Sequence, residues 1–267
     1  MLIASLSNPT VKRLRLLHER RGRAQQGLFL IEGVRLVEEA LEDGVLPDTV
    51  LVAPAMLGAT TRGRALLQRL LHQRDLPPPL EVTPAVLRHV ADTETPSGVV
   101  AALPLGPAHA LAKLPRRAGL ALVLDGVQDP GNAGTVLRTA AAAGVDAVVA
   151  LAGCVDLYAP KVVRAGMGAH FRLALAVDVD ARELPSWLAS RGQALLAHPQ
   201  ATETIYDVDL RGPVALIVGS EAHGAVRAGA WPDVRRAAIP MPGGMESLNV
   251  AVATAVILFE AVRQRRG

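Results

Sequence analysis

Apolar positions follow two different rhythms along this chain. Ahead of Gly22 they recur at Val11, Leu14, Leu17 and His18, and Ser7-Asn8-Pro9 stands where a helix would begin. Proline suits the first turn of a helix, so the spacing predicts one amphipathic helix from Pro9 to about Gly22. Beyond it, Leu28 to Ile31 reads as a strand, Val34 to Glu42 as a helix closed by Gly44, and Thr49 to Ala53 as a strand. Arg62 to Gln73 is helical in pattern, Pro77-Pro78-Pro79 breaks it, Leu80 to Thr83 is extended, and Gly98 to Leu103 forms a further strand. Residues 1–105 therefore make a small α/β domain. The three prolines between Pro104 and Arg117 mark a linker at 106–117. From 118 to 267 the rhythm changes to continuous apolar runs at Leu120–Leu124, Ala147–Leu151, Ala194–Ala197, Val214–Val218 and Ala237–Ile239, with helical stretches between most of them. Strands apolar on both faces and separated by helices predict a parallel sheet covered on both sides.

Composition narrows the class. Half of the 267 residues are apolar and a fifth are charged, which suits two packed domains rather than a disordered chain. The longest apolar stretch, Leu248 to Phe259, is interrupted by Asn249 and Thr254 and is too short to cross a bilayer, so it reads as a buried helix. Met1 to Ser5 leads directly into Ser7, Asn8 and Pro9 without a signal-like apolar core, and the cytoplasm is the expected compartment. Cys154 is the only cysteine, which rules out an internal disulfide and argues against a cysteine-rich metal site. Charge is unevenly spread: Lys12, Arg13, Arg15, Arg20, Arg21 and Arg23 against Glu19 give residues 1–27 a charge of +5, leaving −2 for the rest. Such a segment is either a footprint for a polyanion, with Lys12, Arg13, Arg20, Arg21 and Arg23 as contacts, or a solvated helix face. Seven aromatic residues are too few for a base-stacking platform.

Ligands of open α/β sheets bind beyond the carboxyl ends of the strands, and three loops there carry unusual residues. The first runs from Asp125 to Arg138, where Gly131 and Gly134 permit close approach and Asn132 could cap the following helix. An ordinary strand-turn-helix would use the same residues, and the glycine spacing is not that of a dinucleotide site. Arg138 lies inside a helix of small and apolar residues expected to pack on the sheet, where it either serves chemistry or snorkels to solvent. The second loop, Gly219-Ser-Glu-Ala-His-Gly224, follows a wholly apolar strand. The third runs from Ile239 to Asn249, where Ser247 could cap the last helix, and Asn249 then needs a polar partner of its own.

Together, Asn132-Ala-Gly134 with Arg138, Gly219-Ser-Glu221 with Gly224, and Ile239-Pro-Met241 with Glu246-Ser-Leu-Asn249 resemble the three motifs of the SpoU (TrmH-like) RNA 2′-O-ribose methyltransferases of the SPOUT superfamily. Tyr158 to Arg172 is similar to the segment after the first motif in the ribosomal RNA members. The resemblance is strong over residues 120–264, and residues 5–105 are similar to that family's ribosomal-protein-like substrate-binding domain. It implies a deep trefoil knot, an obligate homodimer and S-adenosylmethionine as methyl donor. Gly219, Ile239 and Leu248 match cofactor contacts, with Met241 and Ala197 beside them; Asn132, Arg138, Glu221, Ser247 and Asn249 match the catalytic and substrate-facing set. Arg138 resembles a residue proposed as general base, yet a guanidinium, with a pKa above about 12, serves equally as a phosphate clamp. A 2′-hydroxyl acceptor implies RNA rather than DNA, and the extra N-terminal domain implies ribosomal RNA, 23S in particular. The alternatives are a transfer RNA 2′-O-methyltransferase and a non-catalytic RNA-binding module that keeps the fold.

Overall fold

The computed structural model describes residues 2–73, 75–106, 111, 114, 119–219, 231 and 233–266. They form two compact units, Met1–Leu105 with Tyr158–Phe171, and Gly106–Leu157 with Arg172–Gly267.

In the first unit the N-terminal helix is not continuous. Asn8 accepts from Thr10 N at 2.9 Å and starts α1 (Pro9–Arg15), a 3₁₀ turn follows at Leu16–His18, and α2 (Arg20–Gln26) begins after an extended Glu19. Gly22 explains the fold-back: a Cβ there would lie 2.0 Å from Leu16 O, so only glycine lets α2 close on the turn. Strands β1 (Leu28–Glu32), β2 (Thr49–Val52), β3 (Leu80–Glu81) and β4 (Val99–Pro104) form a sheet in the order β1-β4-β2-β3, antiparallel except for β2 with β3. Helices α3 (Val34–Glu42), α4 (Pro54–Leu57), α5 (Thr61–His72) and α6 (Pro84–Val90) complete its N-terminal part. Val11, Leu14, Leu17, Leu30, Leu51, Val86, Leu87 and Val100 share its core. Helix α6 was not expected, although Thr83 accepting from Val86 N and Pro84 in the first turn are an ordinary start signal.

Segment Tyr158–Phe171, which the sequence assigns to the second domain, packs with the first unit. Its helix α8 (Pro160–Gly166) lies against β1, burying Val162 and Val163. The Tyr158 ring sits 5.1 Å from Phe29 and 5.5 Å from His170. A short α9 (Ala169–Arg172) follows.

The second unit holds a six-stranded, all-parallel sheet: β5 (Leu120–Asp125), β6 (Ala147–Leu151), β7 (Ala174–Val179), β8 (Gln193–Ala197), β9 (Val214–Gly219) and β10 (Val234–Ala237), in the order β10-β8-β9-β5-β6-β7. Five of these strands were expected, the last of them two to three residues too late. The sixth, β7, was missed although residues 173–177 are an unbroken apolar run; it is an edge strand of mixed burial in which Asp178 is exposed. Helix α7 (Pro130–Ala142) ends before Gly144 at φ 73°, and α10 (Leu184–Ala189) precedes β8. The last helix, α11 (Val250–Arg266), packs on α7. It is not wholly buried as its apolar sequence suggested, for Val252 and Phe259 are 49% and 50% exposed. No helix among the described residues is long and apolar enough to cross a membrane.

Candidate functional site: a cleft at three strand ends and two helix N-termini

In the second unit, β10, β8 and β9 are neighbours, and their last residues, Ala237, Ala197 and Gly219, open onto one cleft. Its far wall is built by Ile239, Met241, Ser247 and Leu248 and by Val250 and Ala253 of α11. The cleft encloses about 720 Å³ when the open space at its mouth is counted. All five residues expected to hold the cofactor, Ala197, Gly219, Ile239, Met241 and Leu248, line it, and so does Ser247. Its walls are mostly small and apolar, so polar recognition there falls largely to backbone groups at the strand ends. Sequence reasoning missed His198, Pro199, Val218, Ala237, Val250 and Ala253. His198 and Pro199 were within reach, since they directly follow an expected strand. His198 N donates to Ala237 O at 3.0 Å and its Nδ1 accepts from Gln200 N at 3.2 Å, making its ring the one imidazole among the described residues of the lining.

Beside the cleft, two helices begin together. Asp129, not Asn132, caps α7, its Oδ1 accepting from Asn132 N at 2.7 Å. Asn249, not Ser247, caps α11, its Oδ1 accepting from Ala251 N at 2.9 Å and Val252 N at 3.4 Å. Both corrections share one cause: the cap stands three residues earlier than assumed in α7 and two residues later in α11. Asn249 Nδ2 then donates to Asn132 Oδ1 at 3.0 Å, joining the first turns of the two helices. With 13 and 17 residues, both helices direct the partly positive ends of their dipoles to this point, an environment that favours an anion.

Arg138 is not gathered into this cluster. It is exposed on α7 instead of being packed toward the sheet. Six residues after Asn132 at about 100° each, it lies roughly 240° around the helix from it. Glu221 and the rest of the second motif, Ser220 to Gly224, lie outside the described residues. Cys154 offers no nucleophile: its Sγ–H donates to Leu124 O at 3.2 Å, and burial pushes the thiol above its ordinary range. Among the described residues no group of three or more His, Cys, Asp or Glu could hold a metal ion.

Of the basic residues expected to meet a polyanion, all in the first unit, Lys12, Arg20 and Arg21 are exposed. Arg13 is engaged with Asp48 at 2.8 Å and Thr49 at 2.6 Å. The Thr49 hydroxyl, and then Arg13, hold the Asp48 carboxyl below its usual range. Arg23 must be removed from the set. It is 4% exposed, and its Nη1 donates to Leu17 O and His18 O at 2.7 and 2.8 Å, tying the 3₁₀ turn to α2.

Residues 119–259 match the SpoU rRNA Methylase family, and residues 8–101 match the MRM3-like substrate binding domain. The chain belongs to the SpoU rRNA methylase family. An uncharacterized tRNA/rRNA methyltransferase of Synechocystis sp. is 39% identical over 98% of this chain and 94% of its own length. RlmP of Bacillus subtilis, named as a 23S rRNA guanosine 2′-O-methyltransferase, is 32% identical over 96% of this chain and 97% of its own. Among solved structures, an RNA 2′-O ribose methyltransferase aligns at 35% identity over the whole of both chains with a TM-score of 0.80. The SpoU methyltransferase AviRb of Streptomyces viridochromogenes, in complex with AdoMet, aligns at 28% identity over 97% of this chain and 99% of that one, with a TM-score of 0.84. This member of the family is an S-adenosylmethionine-dependent RNA methyltransferase.

Proposed function

We propose that this chain methylates a ribose 2′-hydroxyl of 23S ribosomal RNA in the cytoplasm, as a homodimer whose N-terminal unit holds the RNA. The observation that carries the site assignment is the placing of Ala197, Gly219, Ile239, Met241 and Leu248 around one cleft directly beside the Asn132–Asn249 pair. The cofactor supplies a methyl group already activated by its sulfonium. The chain's residues must align the acceptor hydroxyl and take its proton. Asn132, Ser247 and Asn249 flank the acceptor side, and the converging helix N-termini favour a backbone phosphate there. Arg138 clamps a phosphate of the target nucleotide, and the hydroxyl proton passes to Glu221, Ser247 or water. The 23S assignment is supported by the activity for which RlmP is named and by the match to a substrate-binding domain at residues 8–101.

A second copy is supported by α11: Val252 and Phe259, seven residues apart and so nearly in line along the helix, expose apolar surface. The outward Arg138 of one copy would then serve a site formed with the other. The trefoil knot belongs to the same reading.

Transfer of labelled methyl from S-adenosylmethionine to ribosomal RNA, followed by nuclease digestion and mass spectrometry, tests it. Label is expected on ribose. Label on a base, label only in transfer RNA, or none with any ribosomal precursor refutes it. Arg138→Ala is expected to abolish transfer while leaving cofactor affinity nearly intact, and Phe259→Glu to shift the dimer to monomer in sedimentation.

A further inference from the structure

Two helices of the first unit lie side by side on one face of its sheet, and both ends of the pair are tied. Ahead of them, Ile3 N donates to Glu81 O at 2.8 Å and Thr83 N donates to Ile3 O at 3.1 Å. Beyond them, His18 Nε2 donates to Val90 O at 2.7 Å, since a carbonyl can only accept. Helices α1 and α6 therefore run parallel, with Val11, Leu14, Leu87 and Val90 turned into the core that holds Leu30 and Val100. The side they turn outward is basic. Lys12 and Arg15, three residues apart and so neighbours on α1, are exposed, as are Arg88 and His89 on α6. Neither helix carries an acidic residue. Lys12, Arg15 and Arg88 have no hydrogen-bond or ion-pair partner among the described residues.

The opposite face of the same sheet differs. Helix α3 packs on β1 and β4 without entering that core, and α5 packs on α3. Strand side chains alternate between faces, so this second pair covers the other side. It carries four arginines, and each is engaged within the unit: Arg35 with Glu39 at 3.0 Å, Arg62 with Glu38 at 2.5 Å, Arg64 with Gly58 O at 2.7 Å and Arg69 with Gln73 at 3.2 Å. Exposed like charges without partners repel one another in the free protein and become favourable when a polyanion lies across them and sheds its counterions. Helices α1 and α6 contain no Phe, Tyr or Trp on which a base could stack, so such a surface meets phosphates rather than bases.

We infer that the outward side of the α1–α6 pair is the surface on which the first unit lies against the RNA backbone, with Lys12, Arg15 and Arg88 each on a phosphate. This rests on the reading above that the N-terminal unit holds RNA, and gives that reading a face. Arg88 stands outside the basic segment of the sequence, and only the packing of α6 on α1 brings it there. The same cations occupy the last turns of their helices, where they also complement the dipoles, so the test reads stability beside binding.

Two triple variants change the net charge equally and differ only in place: Lys12→Gln with Arg15→Gln and Arg88→Gln, and Arg62→Gln with Arg64→Gln and Arg69→Gln. Each binds a fluorescein-labelled RNA stem-loop, followed by anisotropy from about 50 to 200 mM salt. The slope of log K against log salt is expected to become shallower by about two to three in the first variant, close to one for each lost phosphate contact, and to stay as in wild type in the second. Arg88→Gln alone is expected to remove about one at an unchanged melting temperature, and it decides the case if the first triple variant does not fold. Equal slopes in the two triple variants, or a wild-type slope in Arg88→Gln, overturns the assignment, as does a wild-type protein that does not bind the stem-loop. A wild-type protein that shows the expected slopes but transfers no methyl group refutes the enzyme reading and leaves the face in place.

Discussion

The end of α11 is held by one arginine whose loss should be measurable. Arg265 Nε donates to Leu210 O at 2.9 Å, and its Nη2 donates to Gly119 O at 2.6 Å and Gly212 O at 2.7 Å. The neighbouring Gln264 adds a bond to Val208 O at 3.1 Å and accepts from Leu210 N at 2.8 Å. Arg265 thus bolts the last helical turn to the loop before β9 and to the residue that opens β5. Arg265→Met keeps the aliphatic stem and removes all three bonds. Hydrogen bonds to a charged group contribute about 1.5–3 kcal/mol each when enclosed. Two of these three are solvent-accessible, so about 3 kcal/mol in total is the better figure. At about 2–4 °C per kcal/mol for chains of 150–250 residues, the melting temperature should fall by roughly 6–12 °C in calorimetry. Arg265→Lys should recover less than half of that, since an ammonium cannot reproduce the planar fork. The cleft end of the helix has its own cap, so cofactor affinity at 25 °C should stay within about threefold. A fall of less than about 2 °C in Arg265→Met, or full recovery by lysine, would refute the reasoning.

Three further outcomes follow from the first unit. Arg23→Ala should cost about 2–3 kcal/mol of stability in urea unfolding, because Leu17 O and His18 O lose a charged donor; Arg20→Glu with Arg21→Glu should leave stability alone and reduce the salt slope of RNA binding, by about one for each phosphate no longer neutralised. The two substitutions falling the other way round would restore Arg23 to the RNA surface. His18 is held below its ordinary pKa, chiefly by burial and then by Arg15 and Arg23, against its bond to Val90 O and the charge of Glu32. The unfolded chain takes up that proton first, so the stabilising contribution of neutral His18 is complete above about pH 6.5 and is lost as pH falls toward the folded value. His18→Gln should flatten the urea midpoint between pH 7.5 and 5.5, and an identical slope would dismiss the residue. Gly98→Ala places a Cβ 2.3 Å from Leu57 N at a φ of +98°, and should destabilise by at least about 2–3 kcal/mol, detectable as a lower melting temperature; a neutral result would mean that the backbone there yields freely.

Much of the fold was legible because burial writes itself into the sequence where a strand is covered on both faces. Strands β5, β6, β8 and β9 are nearly continuous apolar runs, as strands covered on both faces are. Strand β7 was missed although residues 173–177 are an unbroken apolar run; its edge position shows only in the structure, where Ala174 and Val177 are half-buried and Asp178 is exposed. The break between α1 and α2 escaped for a different reason. Helical spacing continues through Leu17, and only the close approach of Gly22 to Leu16 O, formed after folding, shows that the chain turns there. Likewise nothing local marks Tyr158–Phe171 as part of the first unit, since its buried face is matched to β1, far earlier in the chain.

The site divides along the same line. The cleft was readable because its residues end strands or follow them, and the carboxyl edge of a parallel sheet is where a ligand is received. Asn132 was assigned a cap that Asp129 supplies, whereas Asn249 was expected to need a partner and finds one in the backbone of its own helix. For Asn249 the sequence offered no structural reason, because Ser247 occupied the cap in the assumed register; a shift of two residues makes Asn249 itself the cap. Its remaining donor then has to be satisfied by something the sequence places 117 residues away. Capping is a local rule and can be read along the chain once the boundary is right, whereas the Nδ2 bond exists only because α7 and α11 pack together. A residue that satisfies the local rule with one atom and the long-range partner with the other is therefore half visible in a sequence. Asn249 is such a residue, and the half that stays hidden is the one that reaches Asn132.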